Sequence, residues 1–139
     1  MVRAVMPVRF VEIHPSDDPE QLNAEWIVVE NTGPHPFNTR GCGMTVSRRG
    51  HKKRSDLGIM DPGFLLNPGD KMRLVTGNPG TKAHGEPPAE DELKNYFLFL
   101  PKVVVAGPGT ILTLTLRGLP VCKAEYAPDQ PGGVAPLKT

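Results

Sequence analysis

No apolar run in this 139-residue chain approaches the roughly 18–20 residues needed to cross a bilayer, so no membrane span is expected. The opening residues, MVRAVMPVRF, lack the apolar stretch of about seven or more that a secretory signal requires. A soluble cytoplasmic protein is the expectation. Cysteine is scarce: Cys42 and Cys122 are the whole supply. In a reducing compartment both are read as free thiols, and a bridge between them becomes worth testing only if export is shown. Charge of one sign is lacking too, with 16 Lys and Arg against 15 Asp and Glu and a net charge of +1. That balance gives no global field to steer the chain towards nucleic acid or membrane, so an anionic partner would be read by a local patch.

Chemistry-bearing constellations are equally thin. His14, His35, His51 and His84 are scattered, with no H-x-H, H-E-x-x-H or C-x-x-C pair to hold zinc. The acidic stretch Asp17, Asp18 and Glu20, with Asn23 and Glu25 close by, lacks calcium-loop spacing and is interrupted by Pro19, so it reads as a polar loop. Gly41-Cys42-Gly43 is followed by neither Lys-Ser/Thr nor a helix start, as a phosphate loop would be. No serine nucleophile elbow occurs, and neither cysteine has a His or Asp partner in a readable motif. No catalytic residue, cofactor, metal or small-molecule substrate is therefore expected.

What the chain does have is 15 Gly and 16 Pro, while hydrophobic residues reach only 38%. Proline breaks helix interiors and glycine weakens them, so a helix bundle is excluded and short strands between many turns are favoured. Residues 110–117, TILTLTLR, alternate with period two: Leu112, Leu114 and Leu116 on one face, Thr113, Thr115 and Arg117 on the other. Residues 71–76, KMRLVT, repeat that pattern. Residues 25–31, EWIVVEN, are apolar on both faces and predict a central strand, with Trp26 read as a core anchor. In residues 10–13, FVEI, the apolar phase slips between Phe10 and Val11, which a bulge or an edge position explains. Residues 96–100 predict a strand halted by Pro101, and residues 102–106 either continue it or form another. Residues 121–126 predict the last strand, and residues 37–47 one more, interrupted by Gly41 and Gly43. Turn chemistry separates these runs at residues 31–34, 67–70, 77–80 and 107–109. Loops are expected at 14–23 and 77–90, with one helical turn at 91–94. An all-β sandwich of about seven to nine short strands follows. It fills one domain over residues 1–127, with residues 128–139 left as a poorly ordered, Pro/Gly-rich tail.

Several motifs occur in a telling order. Asn23-Ala24-Glu25-Trp26-Ile27 followed by Asn31-Thr32-Gly33, the Leu66-Asn67-Pro68-Gly69 turn, the strand running into Thr76-Gly77, and the closing hairpin ending in Tyr126 together resemble the lamin-tail domain family. The likeness spans about residues 8–127. The family usually carries Leu-x-Gly-Trp after its second strand; here Thr39-Arg40-Gly41-Cys42-Gly43-Met44 keeps the glycine and lacks the tryptophan. The resemblance implies an immunoglobulin-like β-sandwich of the stand-alone bacterial kind, divergent in detail. It also implies an interaction module without catalytic residues, which binds proteins and in some members nucleic acid.

Two stretches are candidate contact surfaces. Arg48, Arg49, His51, Lys52, Lys53 and Arg54 place five formal positive charges within seven residues of a chain whose total is +1. Such a run is either a solvated hairpin loop or a contact for an anionic partner, whose phosphates would give salt-dependent binding. The apolar run Tyr96, Phe97, Leu98, Phe99 and Leu100 is either buried on both faces or exposes one as a protein interface. A protein partner, including a second copy of the chain, is the leading expectation; nucleic acid is the alternative.

Overall fold

The computed structural model describes residues 7–90 and 93–139. They are organised almost wholly as strands, and the only helical pieces among them are three short 3-10 turns at Leu22–Ala24, Lys82–His84 and Pro131–Gly133. The strands are β1 Val8–His14, β2 Trp26–Asn31, β3 Phe37–Asn38, β4 Cys42–Arg48, β5 Ser55–Ile59, β6 Leu65–Leu66, β7 Lys71–Val75, β8 Lys94–Phe97, β9 Thr110–Leu116, β10 Leu119–Tyr126 and β11 Val134–Leu137. One sheet has the order β1-β2-β7-β8 and a second the order β11-β10-β9-β4-β5; β3 and β6 form a small ribbon. All pairings are antiparallel except β7 with β8.

The two large sheets face each other across one core, an all-β, sandwich-like arrangement. Val8, Phe10, Ile13, Ile27, Val29, Met72 and Leu74 come from one sheet, and Cys42, Met44, Leu112, Leu114, Cys122, Ala124 and Val134 from the other. Period two produces this directly, because alternate side chains of a pleated strand share a face. The slipped phase of β1 is a bulge: its register against β2 shifts between Phe10 and Glu12, which returns Ile13 to the core. β1 also lies at a sheet edge, so both explanations for that slip hold.

Some expectations need correction. Trp26 is not a core anchor. It is half-buried on the outer face of β2, its ring stacked on His14 at 3.9 Å between centroids, with the Arg73 guanidinium 5.4 Å from the ring. Thr113 points away from the core as expected yet is buried, because β9 is the middle strand of five and Thr45 and Lys123 flank it. β8 stops at Phe97, short of Pro101, because Phe99 adopts φ 54, where a strand cannot continue. Residues 102–106 form no strand, because the Val104 and Val105 amides are taken by a buried carboxylate. The stretch 37–47 divides into β3 and β4. Of the helical turn expected at 91–94, Asp91 and Glu92 lie outside the described residues, and Lys94 already begins β8.

At the other end, β10 is not the last strand. The Pro/Gly-rich tail supplies β11, which pairs with β10 from Lys123↔Leu137 to Tyr126↔Val134 and buries Val134. Tyrosine and valine at this pairing bury apolar surface, which holds the tail on the sheet despite its composition.

Candidate functional site: the open seam between the two sheets

Four polar residues of the ordered motifs, Asn23, Glu25, Asn31 and Thr76, are buried, while Thr32 and Asn67 are exposed in turns. Glu25 is fully buried, and its carboxylate accepts hydrogen bonds from the Thr76 hydroxyl at 2.6 Å and the amides of Val104 and Val105 at 2.6 and 2.9 Å. It ties irregular residues 104–105 to the β2–β7 pair. Asn31 is also fully buried; its amide donates to the carbonyls of His35 and Leu66, and its carbonyl accepts from the Gly33 amide. Asn23 clamps the loop after β7 by donating to the Asn78 and Gly85 carbonyls. A buried polar group must find partners or cost stability; the Glu25 carboxylate and the Asn23 and Asn31 amide nitrogens find theirs mostly in backbone outside the strands, while the Asn23 side-chain oxygen is buried without one. Glu25 therefore faces backbone amides, with its oxygens occupied, and the calcium reading of the loop before it has no support. Among the described residues no three His, Cys, Asp or Glu side chains converge to hold a metal ion.

The six basic residues are exposed; Arg48 ends β4 and the other five sit on its connection to β5. They are not equivalent. The Arg49 guanidinium donates to the Glu125 carboxylate on β10, from Nε at 3.0 Å and from a second nitrogen more closely. That hydrogen bond, reinforced by the carboxylate's charge, pushes the Arg49 pKa further above its ordinary value. Glu125 is buried, so Arg49 fastens the loop to the sheet and its charge is matched. Among the described residues, Arg48, Lys52, Lys53 and Arg54 have no carboxylate within ion-pair distance.

The apolar run divides by parity. Tyr96, Leu98 and Leu100 pack against the core; Phe97 and Phe99 do not, and their ring centroids lie 6.5 Å apart. Phe99 is 63% exposed.

These two stretches, far apart in sequence, line two separate hollows, the apolar run the first and the basic run the second. β5 and β8 are the end strands of their sheets, and among the described residues no further strand extends either sheet beyond them. A cleft of about 440 Å³ lies there, walled by Leu57, Ile59 and Met60 on one side and Tyr96, Phe97 and Phe99 on the other, with Cys42 and Leu74 at its floor. The Tyr96 hydroxyl accepts from the Asp61 amide at 2.9 Å and pins one end of the cleft. A second hollow of about 290 Å³ is lined by Arg48, His51, Lys53 and Ser55 together with Val104 and Ala106. Both hollows have β5 or the loop before it on one wall and the chain of residues 95–106 on the other.

Sequence reasoning missed the β5 wall. Ile59 is 71% exposed and Leu57 half-buried. Leu57 packs on the core, while Ile59, opposite Gly43 beyond a register shift, lies beside Thr115 on the outer face, so no period-two signal marks the strand. The two thiols are free and buried. Burial pushes Cys42 up to about 11 and Cys122 to about 12, the latter partly offset by a hydrogen bond from the Phe10 backbone and raised again by the nearness of Cys42. They sit on β4 and β10 with β9 between, opposite Leu116 and Leu114 respectively, so two strand spacings and a two-residue offset put them roughly 12 Å apart, too far for a disulfide.

No family model matches the chain, and no curated protein matches it. Among the described residues no helix is long and apolar enough to cross a membrane.

Proposed function

We propose that this chain is a non-catalytic protein-interaction module of the cytoplasm, built as an immunoglobulin-like sandwich of the lamin-tail kind, and that it binds through the open seam. The observation that carries the reading is the cleft between β5 and β8, with Ile59 and Phe99 exposed on its two lips. Large apolar side chains grouped around a concave surface mark a contact site, whereas one isolated in solvent does not. The family reading is supported by what the ordered motif does: Asn23, Glu25 and Asn31 each satisfy backbone that the sheets leave unpaired, a physical reason for those residue types at that spacing.

Size-exclusion chromatography with light scattering, joined to a pull-down with the intact chain, tests it. Ile59→Glu and Phe99→Ser are expected each to weaken self-association or partner capture by about tenfold or more, the scale of losing an interface anchor. Folding stability should move by less than about 0.5 kcal/mol, since both side chains are exposed. A strict monomer that captures nothing, or capture indifferent to both changes, overturns the proposal.

The four unmatched cations of the β4–β5 loop favour a second reading, contact with an anionic surface such as nucleic acid. Salt titration of DNA and RNA binding decides it: affinity should fall steeply with salt and with Lys52→Glu and Lys53→Glu.

A further inference from the structure

Strand parity sorts the basic run. Cys42, Met44 and Val46 are the inward set of β4, and Arg48 continues that set past the end of the apolar core. Register carries the same face across the sheet, with Val46 opposite Ser55 and Arg48 opposite Thr110. His51, Lys53 and Ser55, at alternate positions, join Arg48 and Thr110 in lining the hollow of about 290 Å³, and Lys52 and Arg54 do not. Asp56 stands opposite Thr45 on the other face, and among the described residues no carboxylate lines the hollow. Val46, Val104 and Ala106 give it an apolar wall. It shares no lining residue with the cleft at Phe97 and Phe99.

The backbone on both sides is already fixed. The Arg49 amide donates to the Gly109 carbonyl and the His51 amide to the Arg48 carbonyl, each at 2.9 Å, while the Arg49 side chain is tied to Glu125. Across the hollow, the Val104 amide is held by the Glu25 carboxylate. A backbone held in this way needs little further ordering when a ligand binds.

We propose that this hollow is a site for a phosphate monoester of a compact apolar group, such as an aryl phosphate. The phosphate oxygens accept hydrogen bonds from Arg48, His51, Lys53 and the Ser55 hydroxyl, and the apolar body lies on Val46, Val104 and Ala106. Two formal cations without a neighbouring carboxylate complement a dianion, and hydrogen bonds to charged groups are the strong ones. The volume lies at the small end for ligand sites, with room for one ring and its head group. An aliphatic wall accepts one apolar body but offers no aromatic platform for successive bases, which favours a single ester over a nucleic-acid strand. The inference stands apart from the protein-interaction reading, because such an ester can be a free small molecule or a phosphotyrosine side chain.

NMR titration of the isotope-labelled full chain with phenyl phosphate, inorganic phosphate and phenol tests it. Phenyl phosphate should shift the amides of Arg48, Lys53, Ser55 and Val104 together, and bind at least about tenfold more tightly than inorganic phosphate or phenol. Lys53→Gln and Arg48→Gln should each weaken it about tenfold, whereas Lys52→Gln and Arg54→Gln, on the same loop but outside the hollow, should cost less than about twofold. Ala106→Glu, at an exposed position, should abolish binding while the melting temperature barely moves. A phosphotyrosine peptide that binds more tightly than phenyl phosphate assigns the ester to a protein partner, and one that binds no more tightly assigns it to a free small molecule; both outcomes support the site. Inorganic phosphate binding as tightly as phenyl phosphate, or Lys52→Gln costing as much as Lys53→Gln, reduces the loop to undirected charge and overturns the inference. The absence of any shift at millimolar phenyl phosphate overturns it too.

Discussion

The two edges where the sheets meet are built in opposite ways. At the closed edge, β1 packs against both β10 and β11, and the turn Pro131–Gly133 lies across β1. The approach is so close that a Cβ on Gly132 would overlap the Val11 carbonyl oxygen, and one on Gly133 would come within 2.8 Å of the Ile13 carbonyl. At the other edge, β5 and β8 stand apart and leave Ile59 and Phe99 at 71% and 63% exposure. β11 thus seals one edge, and among the described residues no strand does the same at the other. An edge that could be covered and is not, and that carries its apolar side chains outward, is where a partner strand gains most by docking.

The largest effect is expected from removing the buried carboxylate that holds the open seam's far wall. Glu25→Ala strands the Val104 and Val105 amides and the Thr76 hydroxyl, and should cost about 3–5 kcal/mol in urea denaturation, the sum of several unsatisfied buried donors. If the loss is under about 1 kcal/mol, the carboxylate is not what holds residues 104–105. Next comes the closed edge. Gly132→Val forces a β-branched side chain into φ +65 against the Val11 carbonyl, and should cost about 2–4 kcal/mol, with amide exchange of β11 rising more than that of β8. Equal rises at both edges would show that the two are not independent. The smallest effect is a difference in reactivity. Cys42 lines the open cleft, whereas Cys122 takes a hydrogen bond from β1 near the closed edge. Burial raises Cys122 further than Cys42, which favours the reactive thiolate at Cys42. Single Cys→Ser variants treated with a thiol reagent should label Cys42 faster than Cys122; equal rates would mean that the cleft gives no access. Both thiols are held neutral by folding, so the unfolded chain loses their protons first. Stability from this source is intact below pH 9.0 and falls as pH rises towards 11.

The core was the most legible part of the fold. Leu112 and Leu114, and Met72 and Leu74, announce their face through spacing, since burial of alternate residues is what a pleated strand enforces, whereas residues 25–31, apolar on both faces, leave the inward set of Ile27 and Val29 unmarked. Even the irregularity of β1 was readable, because a bulge leaves a phase slip. β5 and β11 were not. Their pairing is decided by neighbours distant in sequence, Cys42 to Arg48 for one and Lys123 to Tyr126 for the other, while their own residues are charged or rich in Gly and Pro. Tertiary context overrides such weak local preference. The two candidate surfaces could be found by composition, the basic run by its charge and the apolar run by its length. That β5 stands across the seam from β8 could not be, because only the topology makes the two strands the ends of facing sheets. Arg49 looked like its neighbours until Glu125 was seen beneath it.

The shape of β5 has a consequence for how the protein survives at high concentration. A straight, unbroken edge strand recruits copies of itself without limit and seeds fibres. β5 cannot do so. Its register against β4 shifts between Gly43 and Thr45, and Gly58 sits at φ +112, so the edge bends after a few residues. A short visiting strand can pair along it, but a growing stack of identical chains would lose register at the first kink.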